Sequence, residues 1–100
     1  GRLASGTSRG SIRIWDPNKG VEILRLDGHK GRVNGLAELP ERRLISVSDD
    51  ETVRLWDTEL GKELARLELG APVLAVAPLP GRFIAAGASS GQLHWLEIIE

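Results

Sequence analysis

One hundred residues are enough for one ordinary domain, and 41% hydrophobic with 27% charged side chains supply a core rather than a disordered tail. A formal net charge of −1 argues against nucleic acid or an anionic membrane as the default partner. The chain has no cysteine, which removes disulfides and a thiol nucleophile and leaves its compartment unmarked, and it has no signal peptide or apolar run near about 18 residues, so a soluble chain is expected.

Residues 1–26 predict three strands, Leu3 to Gly6, Ser11 to Asp16 and Val21 to Leu26. Thr7 to Gly10 and Pro17-Asn18-Lys19-Gly20 punctuate them as turns. The segment opens without Met, as expected of a processed or excised piece.

Residues 27–69 predict four strands: Val33 to Leu39, Leu44 to Val47, Thr52 to Asp57 and Glu63 to Leu69, after an entry loop from Asp27 to Arg32. Leu44 to Val47 and Thr52 to Asp57 alternate about an acidic turn and form the clearest hairpin in the chain. Asn34-Gly35 is ordinarily a tight-turn signal. The repeat period places it inside a strand instead, where Gly35 allows close packing.

Residues 70–100 again predict three strands, Pro72 to Ala77, Phe83 to Gly87 and Gln92 to Ile98, lightened by six alanines between Ala71 and Ala88.

The hairpin ending in Trp56-Asp57 has counterparts at Leu3 to Asp16 and at Ile84 to Glu97, offset by 41 and 40 residues. A period near 40 indicates a repeat architecture. The middle copy carries Gly28-His29 before its hairpin, Ser46 in its first strand, Asp50 in its turn and Trp56-Asp57 at its end, and in these it resembles the WD-repeat β-propellers. The first copy keeps Trp15-Asp16 but has Arg9 in place of the turn Asp; the third has Leu96-Glu97 and no Gly-His. The ending HWLEI resembles the closing, C-terminal blade of bacterial-type WD repeats.

The resemblance implies an all-β fold of three antiparallel blades with 3, 4 and 3 strands, over 1–26, 27–69 and 70–100, closed only by oligomerisation or by further blades of a longer chain. In family terms the first blade holds strands b, c and d, the middle a to d, and the third a, b and c. It also assigns His29, Ser46, Asp50 and Trp56 to a buried structural relay running carboxylate, imidazole, hydroxyl, indole. Buried polar groups of this kind must be satisfied or cost about 1–3 kcal/mol each. Asp57 is expected to hold the adjacent turn.

Ser46, His29 and Asp50 are also the residue types of a hydrolase triad, and two G-x-S-x-G strings occur, at 6–10 and 87–91. A nucleophile elbow needs a strand running into a helix, whereas both strings lead into a second strand at equivalent places in two repeats. A serine hydrolase is therefore the third reading, and no catalytic residue is assigned. Asp49-Asp50-Glu51 lacks EF-hand spacing, and His94 lacks a partner at metal-ligand spacing, so neither a metal nor a cofactor is expected.

Function in the resembled family lies on loops at the ends of the ring. The expected partner surface comprises Ser8, Arg9, Lys30, Arg32, Asp49, Glu51, Ser89 and Ser90, with Arg9 the best anchor because its planar five-donor head suits interfaces. Three blades fall short of the four to eight that close a typical propeller. The chain is thus expected to be a non-catalytic protein-interaction scaffold, the sensing or docking part of a bacterial signalling protein. The alternative is a self-assembling half-propeller in which two copies make a six-bladed ring. The expected partner is a protein, including this chain itself or further blades, and neither nucleic acid nor a membrane.

Overall fold

Residues 2–99 are described by a computed structural model, and they form ten antiparallel strands in three sheets. The first sheet is β1 (Leu3–Gly6), β2 (Ser11–Asp16) and β3 (Val21–Asp27) in that order. The second is β4 (Val33–Leu39), β5 (Arg43–Ser48), β6 (Thr52–Asp57) and β7 (Lys62–Glu68). The third is β8 (Val73–Pro78), β9 (Phe83–Ala88) and β10 (Leu93–Glu97). The architecture is therefore all-β, with unclosed sheets of three, four and three strands and no helix among the described residues.

Alternation along β5 and β6 sends apolar side chains to both faces of the middle sheet, because both faces are covered. Leu44 and Trp56 face the first sheet, where they join Ile12, Ile14, Leu26 and Val33 in one core. Ile45, Val47, Val53 and Leu55 face the third sheet and pack with Val73, Ile84 and Ala86 in the other. Each sheet thus buries its apolar face only against a neighbour, which is how repeat folds acquire their stability. The two end sheets leave their outer faces open: Leu3 is 59% exposed on the first, and Leu93 and Trp95 are 59% and 66% exposed on the third.

Asn34 and Gly35 lie inside β4, at a bulge where the register shifts between Val33 and Gly35. A Cβ on Gly35 would come 3.1 Å from Val47 and 3.5 Å from Val76, so the missing side chain lets β4 approach β8. The Asn34 amide donates to the Val73 carbonyl at 2.9 Å and to Asp49 at 2.7 Å, tying the second sheet to the third. The turn of this hairpin is Pro40-Glu41-Arg42, between the paired Leu39 and Arg43, and Glu41 and Arg42 hold left-handed φ angles of 65° and 59°. At the far end of β6, the Asp57 carboxylate accepts from the Glu59 and Leu60 amides at 2.8 and 2.9 Å and holds its turn; Asp16 does the same for Asn18 and Lys19.

Candidate functional site

Four side chains from four segments of the middle repeat meet between the first and second sheets. The loop before β4 brings in His29, β5 supplies Ser46, the turn after β5 supplies Asp50, and β6 supplies Trp56. The His29 Nδ1–H donates to Asp50 Oδ2 at 2.9 Å. That fixes the tautomer and leaves Nε2 to accept from the Ser46 hydroxyl at 2.5 Å. The Trp56 indole N–H then donates to Ser46 Oγ at 2.8 Å. His29 meets Trp56 edge-on, with ring centroids 6.3 Å apart. The structure therefore brings together all four residues of the expected relay, in the expected order.

Asp50 is the most heavily bonded group of the set. Besides His29, its Oδ2 accepts from the Lys30 amide at 3.0 Å and from Arg54 Nη2 at 3.2 Å, while Oδ1 accepts from the Thr52 amide at 3.0 Å and the Thr52 hydroxyl at 2.6 Å. Burial opposes its charge, but the donors from Thr52, His29 and Lys30 outweigh it and hold the carboxyl well below the usual carboxylate range. For His29, burial dominates and lowers the imidazole pKa, although the Asp50 contact works the other way. A neutral imidazole between a carboxylate and a hydroxyl is the protonation state that the chain of bonds requires.

Sequence reasoning missed four members of this network, Thr52, Arg54, Glu63 and Arg66. Thr52 lies 4% and Arg54 3% exposed, and the Arg54 guanidinium bonds Thr52 Oγ1, Asp50 and Glu63, the last at 2.9 Å. Glu63 in turn accepts from Arg66 at 2.8 Å. The signal was present: Arg13, Glu22 and Arg25 stand 41 residues before Arg54, Glu63 and Arg66. This network also explains Gly28, since a Cβ there would lie 2.9 Å from both Arg54 Nη1 and the Trp56 ring.

The Asp50, His29 and Ser46 bonds follow the connectivity of a hydrolytic triad, yet His29 and Ser46 are buried. Ser46 is fully buried, and its oxygen is occupied by the indole N–H as acceptor and by His29 as donor. Two open grooves between sheets, one lined by Ala4, Ile14 and Leu44 and the other by Leu39, Phe83 and Ile98, do not have His29, Ser46 or Asp50 in their walls. The two G-x-S-x-G strings lie in turns leading into β2 and toward β10, with no helix behind either. Among the described residues no group of three or more His, Cys, Asp or Glu side chains is arranged to hold a metal ion. His94 lies half-buried in β10, with Nε2 unpartnered.

The eight residues expected to form a partner surface, Ser8, Arg9, Lys30, Arg32, Asp49, Glu51, Ser89 and Ser90, are all exposed. They share one end of the stack. Val33 N bonds Thr7 O at 3.1 Å, Asp49 N bonds Arg32 O at 3.0 Å, and Ser89 N bonds Pro72 O at 2.8 Å, so each turn is stitched to the loop beside it. Gly10, with φ 93°, sits so close that a Cβ would clash with the His29 carbonyl at 2.2 Å. Arg9 is thereby carried next to the loop that holds His29, Lys30 and Arg32.

Antiparallel sheets of three, four and three strands, stacked face to face over two apolar cores, are arranged as blades of a β-propeller. The comparisons agree. Residues 20–57 match the WD40 family model, described as WD domain, G-beta repeat. Coronin-7 of Bos taurus is 43% identical over 49 residues, covering 48% of this chain and 5% of that protein. Among solved structures, the β-propeller domain of Myceliophteria thermophila Cps50 (Swd1) superposes with a TM-score of 0.89 at 29% identity, over 99% of this chain and 32% of that one. U3-55K gives 0.88 at 26% identity, over 97% and 31%. The designed protein Ika4 shares the fold with a TM-score of 0.85 at 24% identity, over 97% of this chain and 60% of its own. The chain thus spans about a third of the natural propellers it superposes on.

Proposed function

We propose that this chain is a WD-repeat propeller module acting as a non-catalytic protein-interaction scaffold, with the loop end around Arg9 as its partner surface. The observation that carries this reading is the burial of Ser46: the one triad-like set in the chain is sealed between two sheets, while the residues of the loop end all face solvent. In this reading the relay is structural and orients the loop from Asp27 to Arg32. Arg9, Lys30 and Arg32 offer a cationic edge beside Asp49 and Glu51, the kind of mixed rim that selects a partner by charge pattern. Placement in a bacterial signalling protein rests on the resemblance of the closing blade alone; Coronin-7, one of the relatives, is bovine.

The test is charge reversal at the two ends. A partner captured on the intact chain should be lost on Arg9→Glu with Lys30→Glu and kept on Arg42→Glu with Glu59→Lys at the opposite end. The reverse pattern would move the surface, and ester turnover abolished by Ser46→Ala would overturn the non-catalytic reading.

The exposed apolar outer faces support a second reading, self-association into a ring, with further blades of a longer chain as the competing cover.

A further inference from the structure

Two packing demands place an asparagine directly before a glycine inside β4. The Asn34 amide nitrogen donates to Asp49 Oδ1 at 2.7 Å and to the Val73 carbonyl at 2.9 Å, so both of its protons are engaged, and the second bond crosses from the second sheet to the third. Gly35 lies against the same seam. A Cβ there would come 3.1 Å from the Val47 side chain and 3.5 Å from the Val76 backbone nitrogen. The bulge by itself requires neither residue: β8 shifts register in the same way between Val73 and Ala75, and does so with an exposed Leu74 followed by Ala75.

That pairing is chemically labile. In an Asn-Gly step the glycine backbone nitrogen can attack the asparagine side-chain carbonyl carbon, and the missing Cβ on the attacking residue leaves the approach unhindered. The bond from Gly35 N to Asn34 Cγ forms, the Cγ–Nδ2 bond breaks, and the amide proton of Gly35 leaves with the departing nitrogen as ammonia. A five-membered succinimide remains. Water then opens the ring at either carbonyl and gives aspartate or isoaspartate, with no other reactant.

We propose that Asn34 is a spontaneous deamidation site locked by the seam that it holds, so that parting of the second and third sheets is what exposes it to modification. While the sheets are in contact, ring closure would have to draw the Asn34 amide away from Asp49 and Val73 and turn the Gly35 nitrogen in the space bounded by Val47 and Val76. When β4 and β8 part, both restraints go together. The product cannot restore the contact, because a carboxylate has no proton to donate and would meet two acceptors, the Asp49 carboxylate and the Val73 carbonyl. Isoaspartate also adds a methylene to the β4 backbone just before Gly35, in the strand that pairs Leu36 with Ser46. An opening of the seam is thereby converted into a permanent change. The lock goes beyond the scaffold reading and does not depend on what binds the loop end.

Mass spectrometry of the intact chain, incubated at neutral pH in buffer and in denaturing guanidinium and then cut with trypsin, tests this. Asn34 falls in fragment 33–42, and Asn18, the other asparagine, falls in fragment 14–19 from an exposed turn and serves as the internal control. Deamidation at Asn34 should be at least about ten-fold slower in the folded chain than in the denatured one, while Asn18 changes little. Equal rates at Asn34 in the two conditions would overturn the lock. Asp49→Ala, at an exposed side chain, removes one of the two acceptors and should raise the folded-state rate about three-fold. An unchanged rate would assign the protection to global folding and overturn the role of the seam. Should Asp49→Ala lose its fold, the intact chain in sub-denaturing guanidinium replaces it: the Asn34 rate should rise before the circular-dichroism transition, and a rate that only follows the transition overturns the proposal. Asn34→Asp, which matches one product, should melt lower than Asn34→Ala, because it adds repulsion to the lost bonds. A product variant as stable as the intact chain would show that the change is not one-way.

Discussion

The first and second sheets present nearly the same polar face, one to solvent and one to the interior. Ser5, Arg13, Trp15, Glu22 and Arg25 repeat Ser46, Arg54, Trp56, Glu63 and Arg66, with like bonds among them. The difference lies in what else is recruited. The buried copy adds His29, Thr52 and Asp50, and every polar atom in the Asp50-His29-Ser46-Trp56 chain has a partner. In the open copy Arg9 stands where Asp50 would be. Burial makes unpaired groups expensive, so the buried copy needs the full set; in the open copy Arg13 Nε is left with only the 3.4 Å ion pair to Glu22 and no hydrogen-bond partner.

This comparison is broken most strongly at Asp50. Asp50→Ala strips a partner from His29, Thr52, Arg54 and the Lys30 amide at once, and leaves the Arg54 charge with Glu63 alone. Loss of one member of a buried ionic network costs about 3–5 kcal/mol. Urea titration should place the midpoint far below that of the intact chain, whereas Arg9→Ala, at the matching open turn, should shift it by less than about 0.5 kcal/mol.

Next in size is the serine pair. Ser46→Ala orphans the Trp56 N–H and His29 Nε2 together, an expected loss of about 2–4 kcal/mol, while Ser5→Ala removes an exposed bond and costs under about 0.5 kcal/mol. Equal losses at the two serines would show that burial is not what distinguishes the faces.

Acid sharpens the same contrast. His29 is buried neutral with a lowered pKa, so the unfolded chain takes up a proton first as the pH falls through the ordinary imidazole range, and stability declines from there. Asp50 is depressed as well, so its contribution, complete above the ordinary carboxylate range, is lost as the pH drops below that range. Melting temperatures from pH 7.5 to 4 should fall for the intact chain and fall less steeply through the imidazole range for His29→Gln. Parallel curves would remove His29 as the source.

Much of this face was legible in the sequence. The Trp-Asp endings and the two offsets of about 40 residues placed the strands, and the Gly-His pair and turn Asp identified the relay. Arg54 was not legible on its own, because an arginine in an alternating strand reads as the solvent side of a one-faced sheet. Here both faces are covered, and the arginine is paid for by Glu63 across the next strand. The Asn34-Gly35 signal was correctly overruled and the turn was expected at Pro40-Glu41-Arg42, where it lies, but its left-handed backbone was not legible: Glu41-Arg42 has neither the Gly nor the Asn that such a conformation favours. The loop end is the least legible part, since exposure and charge say where a partner can sit and not which partner it is.

The smallest expected effect comes from that turn, in a comparison of the second sheet with the third. The β8–β9 turn meets its left-handed position with Gly81, φ 76°, whereas the β4–β5 turn asks Glu41 and Arg42 to hold φ of 65° and 59°. Left-handed backbone crowds a Cβ against the following carbonyl, and Asn and Gly relieve that crowding. Neither side chain compensates: Arg42 reaches Glu59 at 3.4 Å with both groups largely exposed, a pair that contributes little. The Thr58 amide bond to the Arg42 carbonyl uses backbone atoms and survives substitution. Glu41→Asn with Arg42→Gly should therefore stabilise the chain by about 1 kcal/mol, a rise of roughly 4–8 °C in melting temperature for a domain of this size. Since the turn lies at the end opposite Arg9, partner retention should be unchanged. A lower melting temperature would mean that the strain at 41–42 is needed to set the β4–β5 register, and through it the position of Ser46.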